Sequence, residues 1–146
     1  MNDTIRRFGH PATLVAEWEH WVALLRPEQP TLGALVLAAK SEAEAFADLP
    51  PTAFAELGVA VAAIERALKA AVAYEKINYL MLMMVDRHVH FHVLPRYAGE
   101  RSAAGVTVAD KGWPKMAALN EAVKLDGVQV AGLVKWIKPL FRPDGS

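Results

Sequence analysis

Three of the five histidines in this 146-residue chain, His88, His90 and His92, alternate with Val89, Phe91 and Val93. Successive side chains of a strand point to opposite faces, so the imidazoles would share one face and the apolar residues the other. Neighbouring imidazoles would then lie ~7 Å apart, and the outer pair ~13 Å apart, from a rise of ~3.3 Å per residue. An imidazole is half neutral near a pH of about 6.5, so a ring nitrogen with a free lone pair is available at ordinary pH. Such a nitrogen can take a proton, bind a metal or attack an electrophile.

Three readings of the row follow. The plainest is a polar sheet face whose histidines happen to alternate, although only His10 and His20 lie elsewhere. The second is a metal site, since histidines two apart on a strand can chelate zinc or iron and Asp86 falls on the same face. The ends of the row are too far apart to meet one ion at ~2.1 Å, so that site needs ligands from elsewhere, and no second His, Asp or Glu cluster is visible. In the third, one imidazole is a nucleophile or base and its neighbours tune it. One ring nitrogen must then be held as a donor, by a flanking group or a backbone carbonyl, so that the other faces the substrate. A neighbouring cationic imidazole could steady phosphate charge or protonate a leaving oxygen.

The elements that must position this row are legible in outline. Residues 13–16, 19–25 and 31–38 read as strands, separated by the two prolines of Arg26-Pro27-Glu28-Gln29-Pro30. Gly33 permits a close backbone approach. Ser41-Glu42-Ala43-Glu44 has the form of a capping box and predicts a helical turn. Thr52 is placed to cap a long helix, in which Phe54, Leu57, Val61, Ile64, Leu68 and Val72 recur at helical spacing. Residues 77–85 predict a strand apolar on both faces, and so central, with Asp86-Arg87 turning into a final strand over 88–94 that Pro95 ends. Residues 96–112 read as loop. Gly112-Trp113-Pro114 predicts a helix start, and 128–138 a last helix. The sum is an α+β domain, a five-stranded antiparallel sheet with one long helix and shorter C-terminal helices, in one unit over 1–146.

Composition narrows the function classes. Sixteen Lys and Arg balance sixteen Asp and Glu, so no broad field argues for nucleic acid or a membrane as partner. The absence of cysteine excludes disulfides and Cys-ligated zinc. Arg6 and Arg7 have no apolar stretch behind them, so no secretory leader is expected, and a cytoplasmic location is.

His88-Val89-His90-Phe91-His92-Val93-Leu94 resembles the H-φ-H-φ-H-φ-φ motif, φ apolar, of the histidine triad (HIT) family of nucleotide hydrolases and transferases, and Pro95-Arg96 is a common continuation. The order of strands, helix and strands over 13–94 is similar to that fold. Gly112-Trp113-Pro114 is similar to bacterial members described as diadenosine tetraphosphate hydrolase-like. The resemblance implies a two-step displacement at the α-phosphorus of a nucleotide. His90 would attack and form a covalent nucleotidyl-histidine that water resolves. His92 would hydrogen-bond phosphate or leaving-group oxygen, and His88 would orient the site. It further implies a homodimer joining two sheets with the long helices at the interface. No metal is needed in the nucleophilic step, although magnesium often arrives with polyphosphate.

The chain departs from the family pattern in three places. The Gly-Gln-Ser/Thr stretch whose polar groups contact phosphate is replaced by Met83-Met84-Val85-Asp86-Arg87, leaving Arg87 and, on the preceding strand, Asn78 as candidate phosphate ligands. The extra histidine expected just after the third strand is replaced by Ala39-Lys40-Ser41. The Asp or Asn that would hold ribose hydroxyls is replaced near Leu25, leaving Arg26 and Gln29 as candidates. Trp18, Trp21, Trp113 and Trp136 read as core or interface rather than base-stacking groups. These departures keep two rivals open, a non-catalytic nucleotide- or partner-binding protein and a metal-dependent enzyme using part of the row.

Overall fold

A computed structural model describes residues 1–142; the last four residues of the C-terminal segment assigned to the same unit, 143–146, lie outside the described residues. The chain opens with α1 (Asp3–Arg7), capped by the Asn2 side chain, which accepts from the Ile5 N–H at 3.0 Å. β1 (Leu14–Glu17) and β2 (Trp21–Leu25) lead through the two-residue β3 (Glu28–Gln29) to β4 (Leu35–Ala39). After α2 (Pro51–Val72) come β5 (Lys76–Leu80), β6 (His90–Arg96), β7 (Glu100–Ala103), β8 (Val106–Ala109), β9 (Val123–Lys124) and α3 (Gly127–Ile137). The expected five-stranded antiparallel sheet is present in the order β1-β2-β4-β6-β5.

Alternation along the strands gives this sheet two distinct faces. On one, Trp21, Ala23, Leu25, Leu35, Leu37 and Val93 pack with Ala60, Ile64 and Leu68 of α2 and Leu133 and Ile137 of α3. The Trp21 indole N–H donates to the Ala53 carbonyl at 2.8 Å, so this tryptophan is core. On the other face Val22, Leu24, Val36 and Ala38 lie under Ile5 and Phe8 of the N-terminal segment. Gly33, at φ +94°, sits where a Cβ would meet Leu68 Cδ2 at 3.2 Å, the close approach its identity implied.

Several local expectations give way to longer-range pairing. β5 is an edge strand and ends at Leu80, so 81–89 is an irregular segment in place of a turn at Asp86-Arg87. β6 runs through Pro95 because β4 stops pairing at Val93, so Pro95 pairs with β5 alone and its missing N–H costs no bond to β4. Residues 100–109 form the hairpin β7–β8, turned at Ala104-Gly105 with φ of 49° and 78°, a geometry suited to a two-residue loop. The cap of α2 is Pro50 rather than Thr52, and Pro51 takes the first helical position, where an N–H would be unpaired anyway. Phe54 stays 40% exposed against the Phe46 ring, while Ala53, Ala60 and Ala67 supply the rest of the buried face. Ser41 Oγ accepts from the Ala43 N–H at 3.0 Å in a local turn that competes with helix, and the short 3-10 turn comes later, at Phe46–Asp48. No helix starts at Pro114; α3 instead has a capping box made by Asp126 and Gln129. Among the described residues no helix is long and apolar enough to cross a membrane.

Candidate active site

His90 and His92 project from β6 onto the face that carries Val36 and Ala38, opposite Phe91 and Val93. Their ring centroids are 5.1 Å apart, closer than the ~7 Å backbone repeat of two residues. Phe8, just after α1, lies against both rings at 5.6 and 5.8 Å. The rings are 2% and 8% exposed, and their accessible edges open on a cavity of about 230 Å³. Arg26, Asp86 and the apolar side chains of Leu82, Met83, Met84 and Val85 complete its lining.

Hydrogen bonds settle which ring nitrogen of each histidine carries its proton. His90 Nδ1 is 2.7 Å from the His88 carbonyl oxygen. A carbonyl only accepts, so Nδ1 carries the proton and the neutral ring keeps its lone pair at Nε2. His92 has the opposite arrangement. The Arg26 Nε–H donates to His92 Nδ1 at 3.3 Å, which leaves Nε2 as the protonated nitrogen. Arg26 is steadied by its Nη1 donating to the Glu28 carbonyl at 2.7 Å. Burial, then the Arg26 charge, then His90 lower the His92 pKa from 6.5 to about 4, so that ring is neutral at ordinary pH.

This shift has a consequence for stability. Between pH 6.5 and about 4 the unfolded chain binds a proton at His92 that the folded protein refuses. The contribution of neutral His92 is therefore complete above pH 6.5 and is lost as pH falls toward 4. Urea midpoints measured from pH 7 to 4.5 should fall more steeply for the native protein than for His92→Gln; parallel curves would contradict the assignment.

His88 precedes β6 and stands apart from the other two rings. Thr4 Oγ1 accepts from the His88 backbone N–H at 3.2 Å and lies 2.9 Å from its Nδ1. On the far side, Glu42 Oε2 is 3.2 Å from Nε2. Held between these groups, His88 presents its backbone carbonyl to His90 Nδ1. Sequence reasoning missed Thr4, Phe8 and Glu42. α1 is only five residues long and has no periodicity to announce it, and Glu42 was read as part of a capping box.

The remaining candidates divide. Arg26 is brought to the cavity. Arg87 lines a neighbouring cavity of about 180 Å³ with Asp3, Thr4, Arg7 and His88, on the other side of Asp86. Asp86 Oδ1 is 3.2 Å from Arg7 Nε, an ion-pair distance without hydrogen-bond alignment. Gln29 is fully buried: its amide donates to the Arg26 and Ala34 carbonyls and its oxygen accepts from the Gly33 N–H, so it shapes the turn that presents Arg26. Asn78 shares a cavity of about 470 Å³ with Lys76, Arg96, Trp113 and Lys115, and its oxygen accepts from Arg96 Nη1 at 2.8 Å. His90 and His92 thus share their cavity with Arg26 and without Gln29, Asn78 or Arg87, while His88 lines the neighbouring one. Among the described residues no group of three or more His, Asp or Glu is placed to hold a metal ion.

A model of the HIT domain matches residues 7–99, well over half of the chain. The chain belongs to the histidine triad (HIT) family. Solved structures agree on the HIT fold. A histidine triad protein from Marinobacter aquaeolei VT8 superposes with a TM-score of 0.74 at 17% identity, covering 97% of this chain and 94% of that one. A histidine triad protein from Bradyrhizobium japonicum gives 0.67 at 17%, covering 94% and 96%. A hypothetical histidine triad nucleotide-binding protein from Sulfolobus tokodaii strain7 gives 0.67 at 20%, covering 94% and 89%. At these identities the likeness to this HIT protein extends to the fold alone. No curated protein matches the chain.

Proposed function

We propose that this HIT protein hydrolyses a nucleotidyl phosphoanhydride or related bond at the α-phosphorus, with dinucleoside polyphosphates the leading substrate class and nucleotidyl transfer or phosphoramidate hydrolysis close behind. The observation that carries the reading is the 2.7 Å contact between His90 Nδ1 and the His88 carbonyl, which leaves the Nε2 lone pair of a buried ring for attack. In the first step Nε2 of His90 bonds to phosphorus and the leaving oxygen departs with the electron pair of its bond. The His88 carbonyl stabilises the positive ring so formed. Nε2–H of His92 donates to a phosphate oxygen beside it. Water then attacks phosphorus, the bonding pair returns to His90 Nε2, and a proton passes to solvent. No metal enters the nucleophilic step; a polyphosphate substrate brings its own magnesium.

The nucleotide-binding description of the Sulfolobus protein supports this reading. The sequence similarity at Gly112-Trp113-Pro114 supports a diadenosine tetraphosphate hydrolase-like substrate. A second copy of the chain is the expected partner: β5 is an edge strand, and the segment that follows it exposes Leu82, Met84 and Val85. One observation favours a binding protein without turnover, namely apolar Met83, Met84 and Val85 at the cavity, where family members place polar phosphate contacts.

The test is to incubate the protein with labelled dinucleoside polyphosphate, quench in alkali to preserve a phosphorus–nitrogen bond, and map the adduct by mass spectrometry. Nucleotide on His90 is the expected result. Saturable binding with neither adduct nor product would establish the binding reading instead.

A further inference from the structure

Arg26 stands at the end of β2, and its guanidinium reaches the third histidine of the triad across the sheet. We propose that Arg26 holds His92 as a neutral Nε2–H donor and thereby restricts the enzyme to substrates whose leaving group departs as a phosphate oxyanion, disfavouring those whose leaving group is an amine. The inference rests on the hydrolase reading above and names the substrate class of the same site.

The geometry constrains proton inventory. A guanidinium has N–H groups and no acceptor, so its 3.3 Å contact fixes His92 Nδ1 as the acceptor. A second proton on His92 would occupy Nδ1, break that bond and set a cation against a cation. The other charged groups around this ring do not offset this. Glu28, whose carbonyl anchors Arg26, has an exposed side chain, and the Asp86 carboxylate sits at ion-pair distance from Arg7. His90, the remaining titratable neighbour in the cavity, also opposes a charge on His92. Burial is the first cause of the downward shift of His92 to about 4, and the Arg26 charge adds to it in the same direction.

A neutral imidazole N–H stabilises a phosphate oxygen well and gives up its proton poorly. For an anhydride this suffices: His90 Nε2 bonds to phosphorus, the phosphorus–oxygen bond breaks, and its electron pair leaves on a phosphate that is stable as an anion. A phosphoramidate is different. Its phosphorus–nitrogen bond breaks only if the nitrogen takes up a proton as the pair arrives, because an amide anion is far too basic to leave. The proton would have to come from an imidazolium at His92, which Arg26 disfavours.

The experiment compares the full-length protein on two probes with a common adenylyl group, diadenosine tetraphosphate and adenosine 5′-phosphoramidate. The native protein should favour the anhydride in kcat/KM by at least about 100-fold, the scale of a missing general acid. Arg26→Met should narrow that preference by about 10-fold or more, gaining phosphoramidate hydrolysis at mildly acidic pH, whereas Arg26→Lys, which keeps donor and charge, should retain most of it. Nitrogen-15 histidine spectra of the native protein should show His92 protonated at Nε2, a readout independent of activity and of whether a variant folds. Anhydride turnover with equal or faster phosphoramidate turnover, or a proton found at His92 Nδ1, would overturn the proposal while leaving the hydrolase reading intact. Turnover of neither probe with no adduct would remove both.

Discussion

Replacing His90 by alanine is expected to lower turnover of any nucleotidyl substrate by about 10⁴-fold or more, the range seen when a covalent nucleophile is deleted. The alkali-stable nucleotide adduct should disappear with it. Nucleotide affinity should stay within a few-fold of the native value, because in the proposed mechanism the ring supplies the attacking lone pair while much of the binding surface would come from its neighbours. The fold should also survive. The substitution removes one ring from beneath Phe8 and frees the His88 carbonyl, a loss of about 1–3 kcal/mol. Calorimetric titration with a slowly hydrolysed nucleotide, alongside steady-state kinetics, separates the two effects. Turnover at the native rate in this variant would end the covalent mechanism.

The largest effect on stability is expected from Asp110→Ala. The Asp110 carboxylate accepts from Arg96 Nε at 2.7 Å, from Arg96 Nη2 at 3.0 Å and from the Tyr97 N–H at 3.1 Å. The two side chains are 1% and 4% exposed, so alanine leaves a guanidinium buried without its counter-charge. Such a broken pair costs about 3–5 kcal/mol, a large part of the stability of a domain this size. The same Arg96 donates to Asn78 on β5 and to the Lys115 carbonyl, tying the edge strand and the segment before β9 to the far end of the histidine strand. Replacing both partners, with Arg96→Met and Asp110→Leu, should cost less than Asp110→Ala alone, because no charge is then stranded. Urea unfolding monitored by tryptophan fluorescence measures both variants. A loss below about 1 kcal/mol for Asp110→Ala would show that water reaches the pair.

Legibility in the sequence follows range. The alternation of His90 to Val93 and the spacing of Ile64, Leu68 and Val72 depend on the periods of a single strand and a single helix, and both survive in the fold. The misread boundaries lie where a distant partner decides. Pro95 looks like a strand end until β4 withdraws and leaves it bordering β5 alone. Residues 77–85 look central because their apolar run resembles a buried strand, yet the sheet order sets β5 at an edge. Ser41 reads as a helix cap, and its hydroxyl closes a local turn instead.

By itself, the sequence determined that His90 and His92 share one face of a strand, that the interleaved apolar residues commit its other face to the core, and that the motif belongs with the histidine triad. Those facts are local, written in residues one and two positions apart. The tertiary structure alone decided how the imidazoles differ. Thr4 and Glu42 clasp His88, the His88 carbonyl fixes the His90 proton, and Arg26 takes the lone pair of His92 Nδ1. Thr4 lies 84 positions from His88 and Arg26 lies 66 from His92, distances that no periodicity spans. A ring's proton goes where its hydrogen-bond partner directs it, and for His88 and His92 only the folded sheet brings that partner near.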